Sequence, residues 1–207
     1  MGRPPRYNEA HILAGARQVS AEIGPQKLTI AKVAARAAVP VGSIYHRYAS
    51  RDEILAAIWL DVVEEFQEHF LAALEGDNAI AAGLAAVRYA CHWIRRHPRE
   101  ARLLLLHRRE DFAADRWPDD YRRRARALAA RAHTALSAYA TRLTGRGGAA
   151  QMRAARLAVV DLPTAALRSD VEAGTPPSSD TVKLLLPACA YMLRHAARSH
   201  PTRRKGR

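Results

Sequence analysis

The sequence predicts an all-α protein: a short three-helix module at the N-terminus, then a longer helical body. Three observations carry this. Apolar residues recur at the helical period along nearly the whole chain, and no segment sustains the alternation of a strand. Gly and Pro fall between the periodic stretches, where helices end. The 207 residues, 49% hydrophobic and 26% charged, are a globular mixture with ample material for a core.

Each element follows in order. Asn8 caps a first helix striped by Ile12, Leu13, Ala16, Val19 and Ile23, and Gly24-Pro25 ends it. Thr29 caps the next, with Ile30, Val33, Ala34 and Ala37 facing inward. Pro40 fits the first turn of a third helix, where Ile44 and Tyr48 lie one turn apart on one face. Ser50-Arg51-Asp52-Glu53 reads as a capping box for a long helix through Ile54, Leu55, Ile58, Trp59, Val62, Phe66, Phe70 and Leu74. Gly76 stops it. Asp77 opens a helix that His97-Pro98 breaks. Residues 99–107 are a short, nearly continuous apolar piece around Leu103-Leu104-Leu105-Leu106, expected to be buried, and residues 108–117 are less regular. Pro118 starts an Arg- and Ala-rich helix, and Gly145-Arg146-Gly147-Gly148 breaks the chain. Two last helices are expected over residues 151–173 and 180–199, with Pro163 and Pro187 kinking or interrupting them.

The second and third helices, residues 29–48, have the build of a helix-turn-helix that enters the DNA major groove. Ile12, Val19, Ile30, Val33, Ile44 and Tyr48 are the expected members of a small shared core. The outward side of the third helix is then free to read. Gly42 lets backbone approach closely, Ser43 donates to a base edge or phosphate, and Tyr45 suits a phosphate or a thymine methyl. His46 and Arg47 add donors. Thr29, with the N–H groups of its helix N-terminus, is placed for phosphate, and Arg51 is placed to clamp the flanking strand.

With Thr29-Ile30-Ala31-Lys32-Val33-Ala34-Ala35-Arg36-Ala37-Ala38-Val39 and then Gly42-Ser43-Ile44-Tyr45-His46-Arg47-Tyr48-Ala49-Ser50-Arg51-Asp52-Glu53-Ile54-Leu55, the chain resembles the TetR (tetracycline repressor) family of transcriptional regulators. The resemblance covers residues 6–66. Tyr45 and Tyr48 meet the family's aromatic pair three residues apart, and Arg51 and Glu53 meet its basic and acidic residues at the next helix. Ala38 stands where the family usually has the turn glycine, Pro40 where a capping Ser or Thr is common. Tyr48 replaces a usual Phe and Arg51 a usual Lys. The resemblance implies that Tyr45 and Arg51 touch phosphates and that the side from Gly42 to Arg47 reads bases. It implies a DNA-binding domain over residues 6–66, a helical ligand-binding and dimerisation domain over 67–199, and flexible basic termini at 1–5 and 200–207.

The second body is then expected to bind a small molecule. Trp93, Leu104, His107, Phe112, Trp117, Tyr121 and Tyr139 supply the aromatic and polar mixture such sites use. Leu157, Val160, Leu167, Leu184, Leu185, Tyr191 and Leu193 are the expected homodimer contacts on the last helices. The formal charge of +13 favours a polyanionic partner, here double-stranded operator DNA. Two lone cysteines, Cys91 and Cys189, make neither a disulfide framework nor a metal signature. His92, His97 and His107 match no metal-ligand spacing, and no cofactor or catalytic motif is visible. With no signal-like or membrane-spanning run, the expectation is a cytoplasmic, dimeric repressor released from its operator by a ligand, not an enzyme. The alternatives are a helical enzyme or carrier for an anionic substrate, and a sequence-indifferent nucleoid-type DNA binder.

Overall fold

The computed structural model describes residues 9–198, and among these every regular element is helical. In chain order they are α1 (Glu9–Ile23), α2 (Ile30–Ala37), α3 (Val41–Tyr45), α4 (Arg51–Ala73), α5 (Ala79–Arg96), α6 (Pro98–Leu106), α7 (Asp119–Thr144), α8 (Ala149–Arg156), α9 (Leu162–Glu172) and α10 (Ser179–Arg198). They form two compact units. One takes in the chain up to Glu64 together with Arg99–Ala127; the other takes in Glu65–Pro98 and the residues from Leu128 on. The division therefore falls inside α4 and inside α7, and the 99–127 segment belongs with the N-terminal helices. The expected cap at Asn8 and both basic termini lie outside the described residues.

In the first unit the anticipated core is present. Ile12, Val33 and Ile44 are fully buried, and Val19, Ile30 and Tyr48 nearly so. Close approach of α1 to α2 rests on Gly15, where an added Cβ would lie 3.0 Å from the Ala37 Cβ. Gly24 closes α1 at φ +86°, a conformation open to glycine, and Pro25–Lys27 makes one 3-10 turn. Thr29 then caps α2, its hydroxyl accepting from the Lys32 N–H at 3.3 Å.

At the far end of α2, Ala38 takes the left-handed conformation at φ 49°. Its N–H bonds the Ala35 carbonyl, and the Val39 N–H bonds the Ala34 carbonyl. This is a Schellman closure with alanine in the place glycine favours, secured by burial of Val39. At the start of α4, Ser50 accepts from the Glu53 N–H at 3.2 Å, while Glu53 reaches back to the Ala49 N–H at 2.6 Å. The reciprocal bond of the box thus lands one residue before the cap.

Ion pairs fasten the outer helices of this unit to α4. Asp61 accepts from Arg17 of α1 at 3.1 Å and from Arg124 of α7 at 2.8 Å, and Arg124 also pairs with Glu64. Arg102 of α6 donates to the Ala21 carbonyl at 3.1 Å. Of the Leu103–Leu106 run, only Leu103 is fully buried and the rest are half-buried; a helix offers one stripe to a core, so four consecutive leucines cannot all enter it. Residues 109–116 form two 3-10 turns, Arg109–Phe112 and Ala114–Arg116. They are anchored by Trp117, whose buried indole donates to the Phe112 carbonyl at 2.7 Å.

In the second unit, α5 packs on α9 and α10. Gly83 of α5 is the tightest point. A Cβ there would sit 2.1 Å from the Tyr139 hydroxyl and 2.9 Å from Leu193 Cδ1. The Tyr139 hydroxyl uses that gap to donate to the Ala79 carbonyl at 3.0 Å. Cys91 and Cys189 are buried and unbridged. Burial first, then the Cys91 thiol, pushes Cys189 up to about 11, so it stays a neutral, unreactive thiol at neutral pH.

The two prolines are handled differently. Ahead of Pro163 the helix widens to a π turn, Leu157–Asp161, with the Leu162 N–H reaching back five residues to Leu157. That widening relieves the clash a proline ring makes with the carbonyl four residues earlier. Pro187 does not interrupt its helix: α10 runs through it from Ser179 to Arg198. Both Pro187 and Lys183, four residues before, are exposed, so the carbonyl left without a helical donor faces water.

Candidate nucleic-acid interface

Local sequence dictates which side of α3 is presented. Pro40 is extended at φ −60°, ψ 141° and starts the helix at Val41. Ile44 and Tyr48 point into the core, Ile44 fully buried and Tyr48 at 1% exposure. The Tyr48 hydroxyl is fixed by donation to Glu9 Oε1 at 2.9 Å, which ties the turn after α3 to the start of α1. Burial, then that carboxylate, pushes the Tyr48 phenol upward. Tyr121 of α7 is pushed up to about 12 by burial and by Glu53, Asp120, Glu9 and Asp61. Its turn of α7 therefore lies among the same acidic groups.

With that face inward, the other is outward. Gly42 and His46 are exposed, and Tyr45 is 56% exposed. A Cβ on Gly42 would meet nothing within 4 Å. Ser43 and Arg47 are half-buried at the edge, where Arg47 Nη1 donates to the Ser43 carbonyl at 3.0 Å. That bond holds the guanidinium along the helix. Thr29 is exposed at the start of α2 with its hydroxyl engaged as a cap. The Arg51 guanidinium turns inward, onto the carbonyls of Pro25, Gln26 and Leu28.

One exposed residue escaped the sequence reading. Val41, 43% exposed, stands one turn before Tyr45, and together they make a small apolar patch on the open side. Spacing alone could not show it: 41, 44, 45 and 48 follow the i, i+3, i+4, i+7 pattern of one face, and packing decides that Ile44 and Tyr48 are buried while Val41 and Tyr45 stay open. An exposed β-branched residue there suits a thymine methyl.

The other candidate residues divide between the units. Leu104, His107, Phe112, Trp117 and Tyr121 belong to the first, Trp93 and Tyr139 to the second. Phe112, Trp117 and Tyr139 are fully buried core aromatics. His107 pairs with Asp111 at 3.8 Å, and His97 with Glu65 at 3.6 Å. Trp93 stacks on His97 and meets Phe66 edge-on, with centroids 5.1 Å apart in each case. Its buried indole nitrogen has no hydrogen-bond partner among the described residues. Among the expected dimer contacts, Leu167, Leu185 and Leu193 are buried within the second unit, so their side chains are already used in its own packing. Leu157, Leu184 and Tyr191 are exposed at 46%, 75% and 68%, and Val160 is half-buried. No described helix is long and apolar enough to cross a membrane.

Residues 12–58 match the family described as bacterial regulatory proteins, tetR family. No curated protein matches the chain. Solved structures match it over nearly their full length. A putative tetR family transcription regulator from Shewanella sp. PV-4 aligns with TM-score 0.70 at 16% identity, covering 92% of this chain and 98% of that one. The fatty acid degradation regulator FadR from Bacillus halodurans gives 0.68 at 16%, covering 93% and 97%. FadR from Bacillus subtilis, solved in complex with stearoyl-CoA, gives 0.65 at 15%, covering 92% and 98%. Residues 12–58 are thus similar to bacterial regulatory proteins of the tetR family, and the chain shares the fold of the solved structures above.

Proposed function

We propose that the protein is a homodimeric repressor whose two α3 helices enter successive major grooves of a pseudo-palindromic operator, and which a small-molecule effector releases. The observation that carries this is the exposure pattern of α3 and the residue after it: Ile44 is fully buried, while Val41, Gly42, Tyr45 and His46 are open. Ser43, Tyr45, His46 and Arg47 supply base and phosphate donors, and Thr29 brings phosphate to the N-terminus of α2. Much of the affinity comes from arginine and phosphate, and so weakens with salt.

Dimerisation is supported by the outward stripe of α10. Leu184, Ala188, Tyr191 and His195 recur at helical spacing and are all exposed, with the Tyr191 and His195 rings stacked at 6.3 Å. An effector in the second unit is supported by Trp93, whose buried N–H awaits an acceptor, and by a regulator of this fold that holds stearoyl-CoA. For release, the effector must bind the non-reading arrangement more tightly than the reading one. The α4 helix, which contributes to both units, is the element it would bias.

Enrichment of a random-sequence duplex pool on the protein tests the reading. The expected outcome is a two-fold-symmetric motif bound by two chains. Recovery of unselected sequence would favour an indifferent DNA binder instead, and no recovery at all would remove DNA as the partner.

A further inference from the structure

Arg51 opens α4 beside the reading helix, and its charge makes phosphate the obvious partner. Its donors point elsewhere. Nε donates to the Leu28 carbonyl at 2.6 Å, Nη2 to the Gln26 carbonyl at 2.8 Å and the Pro25 carbonyl at 2.9 Å, and Nη1 to Asp52 Oδ1 at 3.0 Å. A guanidinium has five N–H donors in a rigid fork, and most of this one is directed into the protein. The three carbonyls belong to the turn that ends at Leu28, immediately before the Thr29 cap of α2. The second oxygen of Asp52 accepts from Arg116 Nε at 2.7 Å. Asp52 therefore joins two arginines, one on each oxygen. Arg116 lies in the 3-10 turn ahead of α7, 64 residues along the chain from Asp52 yet in the same compact unit.

We infer that Arg51 is a positioning residue and not a phosphate clamp: it sets the start of α2 through the 25–28 turn, and Asp52 and Arg116 hold it there, so that a turn remote in sequence from the reading helix tunes affinity for DNA. The inference rests on the DNA-binding reading above. Its physical basis is multiplicity. Three backbone carbonyls and a carboxylate share one planar fork, and the ammonium of a lysine is a point charge that cannot span the same set. The Gln26 and Leu28 carbonyls gain a donor, the Pro25 carbonyl gains a second one beside the Leu28 N–H, and the charge is balanced by Asp52. In turn, Asp52 sits between two cations and would tilt towards whichever remained. Removing Arg116 thus changes how Asp52 and Arg51 meet without touching the reading side.

The test is fluorescence anisotropy with a duplex enriched from a random pool by the wild-type chain, repeated across a salt series, with thermal unfolding of every variant. Arg51→Ala and Arg51→Lys should both weaken binding by about ten-fold, with the slope of log affinity against log salt unchanged. Arg116→Ala and Asp52→Asn should each weaken it by about two- to five-fold, and Arg116→Ala should add nothing in the Asp52→Asn background. A phosphate clamp predicts otherwise: Arg51→Lys keeps wild-type affinity and Arg51→Ala lowers the slope by about 0.9. That pattern, or additive effects of Asp52 and Arg116, overturns the inference while leaving the DNA-binding reading intact. If the wild-type chain enriches no duplex, both fall. Should Arg51→Ala not fold, Arg116→Ala carries the test, its side chain being 58% exposed; unchanged affinity there is equally contradictory.

Discussion

Two glycines, one in each unit, show how differently the two parts of the molecule use a missing side chain. Gly83 of α5 is filled from within, because the Tyr139 hydroxyl and Leu193 occupy the space a Cβ would take. Gly42 of α3 has nothing within 4 Å of that space. In the second unit the absent side chain lets helices pack. In the first it leaves open space on the surface. The same contrast runs through the aromatics: Tyr139 is fully buried with its hydroxyl bonded, and Tyr45 is more than half exposed.

Substitutions should break this comparison in order of size. Gly83→Ala must displace Tyr139 and its bond to Ala79, and should destabilise the fold by about 2–4 kcal/mol, read as a lowered denaturant midpoint. Next, Leu184→Ala combined with Tyr191→Ala removes two exposed anchors from each proposed dimer partner. The dimer dissociation constant should rise by about a hundred-fold or more, measured by analytical ultracentrifugation, with the unfolding of the separate chains little changed.

Gly42→Ala sharpens the contrast most, since fold and function should move in opposite directions. Alanine gains about 0.5–1 kcal/mol of helix stability, while the added methyl should cost about ten-fold in DNA affinity by holding backbone from the groove. A destabilised Gly42→Ala protein with intact DNA binding would reverse the assignment of that surface.

Ala38→Gly should be the smallest effect at neutral pH. It relieves the left-handed strain at φ 49°, but frees the unfolded chain, for a net gain of about 0.5–1 kcal/mol. A further loss shows only in alkali. Tyr121 ionises at about 12 in the fold, against 10.0 for an ordinary tyrosine. The unfolded chain gives up this proton first, so the stability is intact below pH 10 and lost as pH rises through the folded value. Tyr121→Phe should flatten unfolding free energy against pH in that window.

The N-terminal helices were the more legible part because their local signals agree. The cap at Thr29, the break at Gly24-Pro25, the apolar spacing of Ile44 and Tyr48 and the box from Ser50 to Glu53 each point to one conformation. What escaped was non-local. Nothing in the sequence says that Arg51 turns onto carbonyls 23 to 26 positions back, or that Arg116 finds Asp52. The second pairing depends on residues 99–127 returning to the first unit, which periodicity cannot express. In the second unit, periodicity found the helices but not their exposure. Leu184 and Leu185 are adjacent and equally apolar, yet one is 75% exposed and the other 3%. Only the packed neighbours decide which of them is core.

The central claim is that the outward side of α3 docks on DNA, and amide hydrogen exchange with and without an enriched duplex addresses it most directly. Strong added protection over residues 41–47 and at the start of α2 is the expected result. Protection confined to other basic helices, with residues 41–47 exchanging as in the free protein, would contradict it.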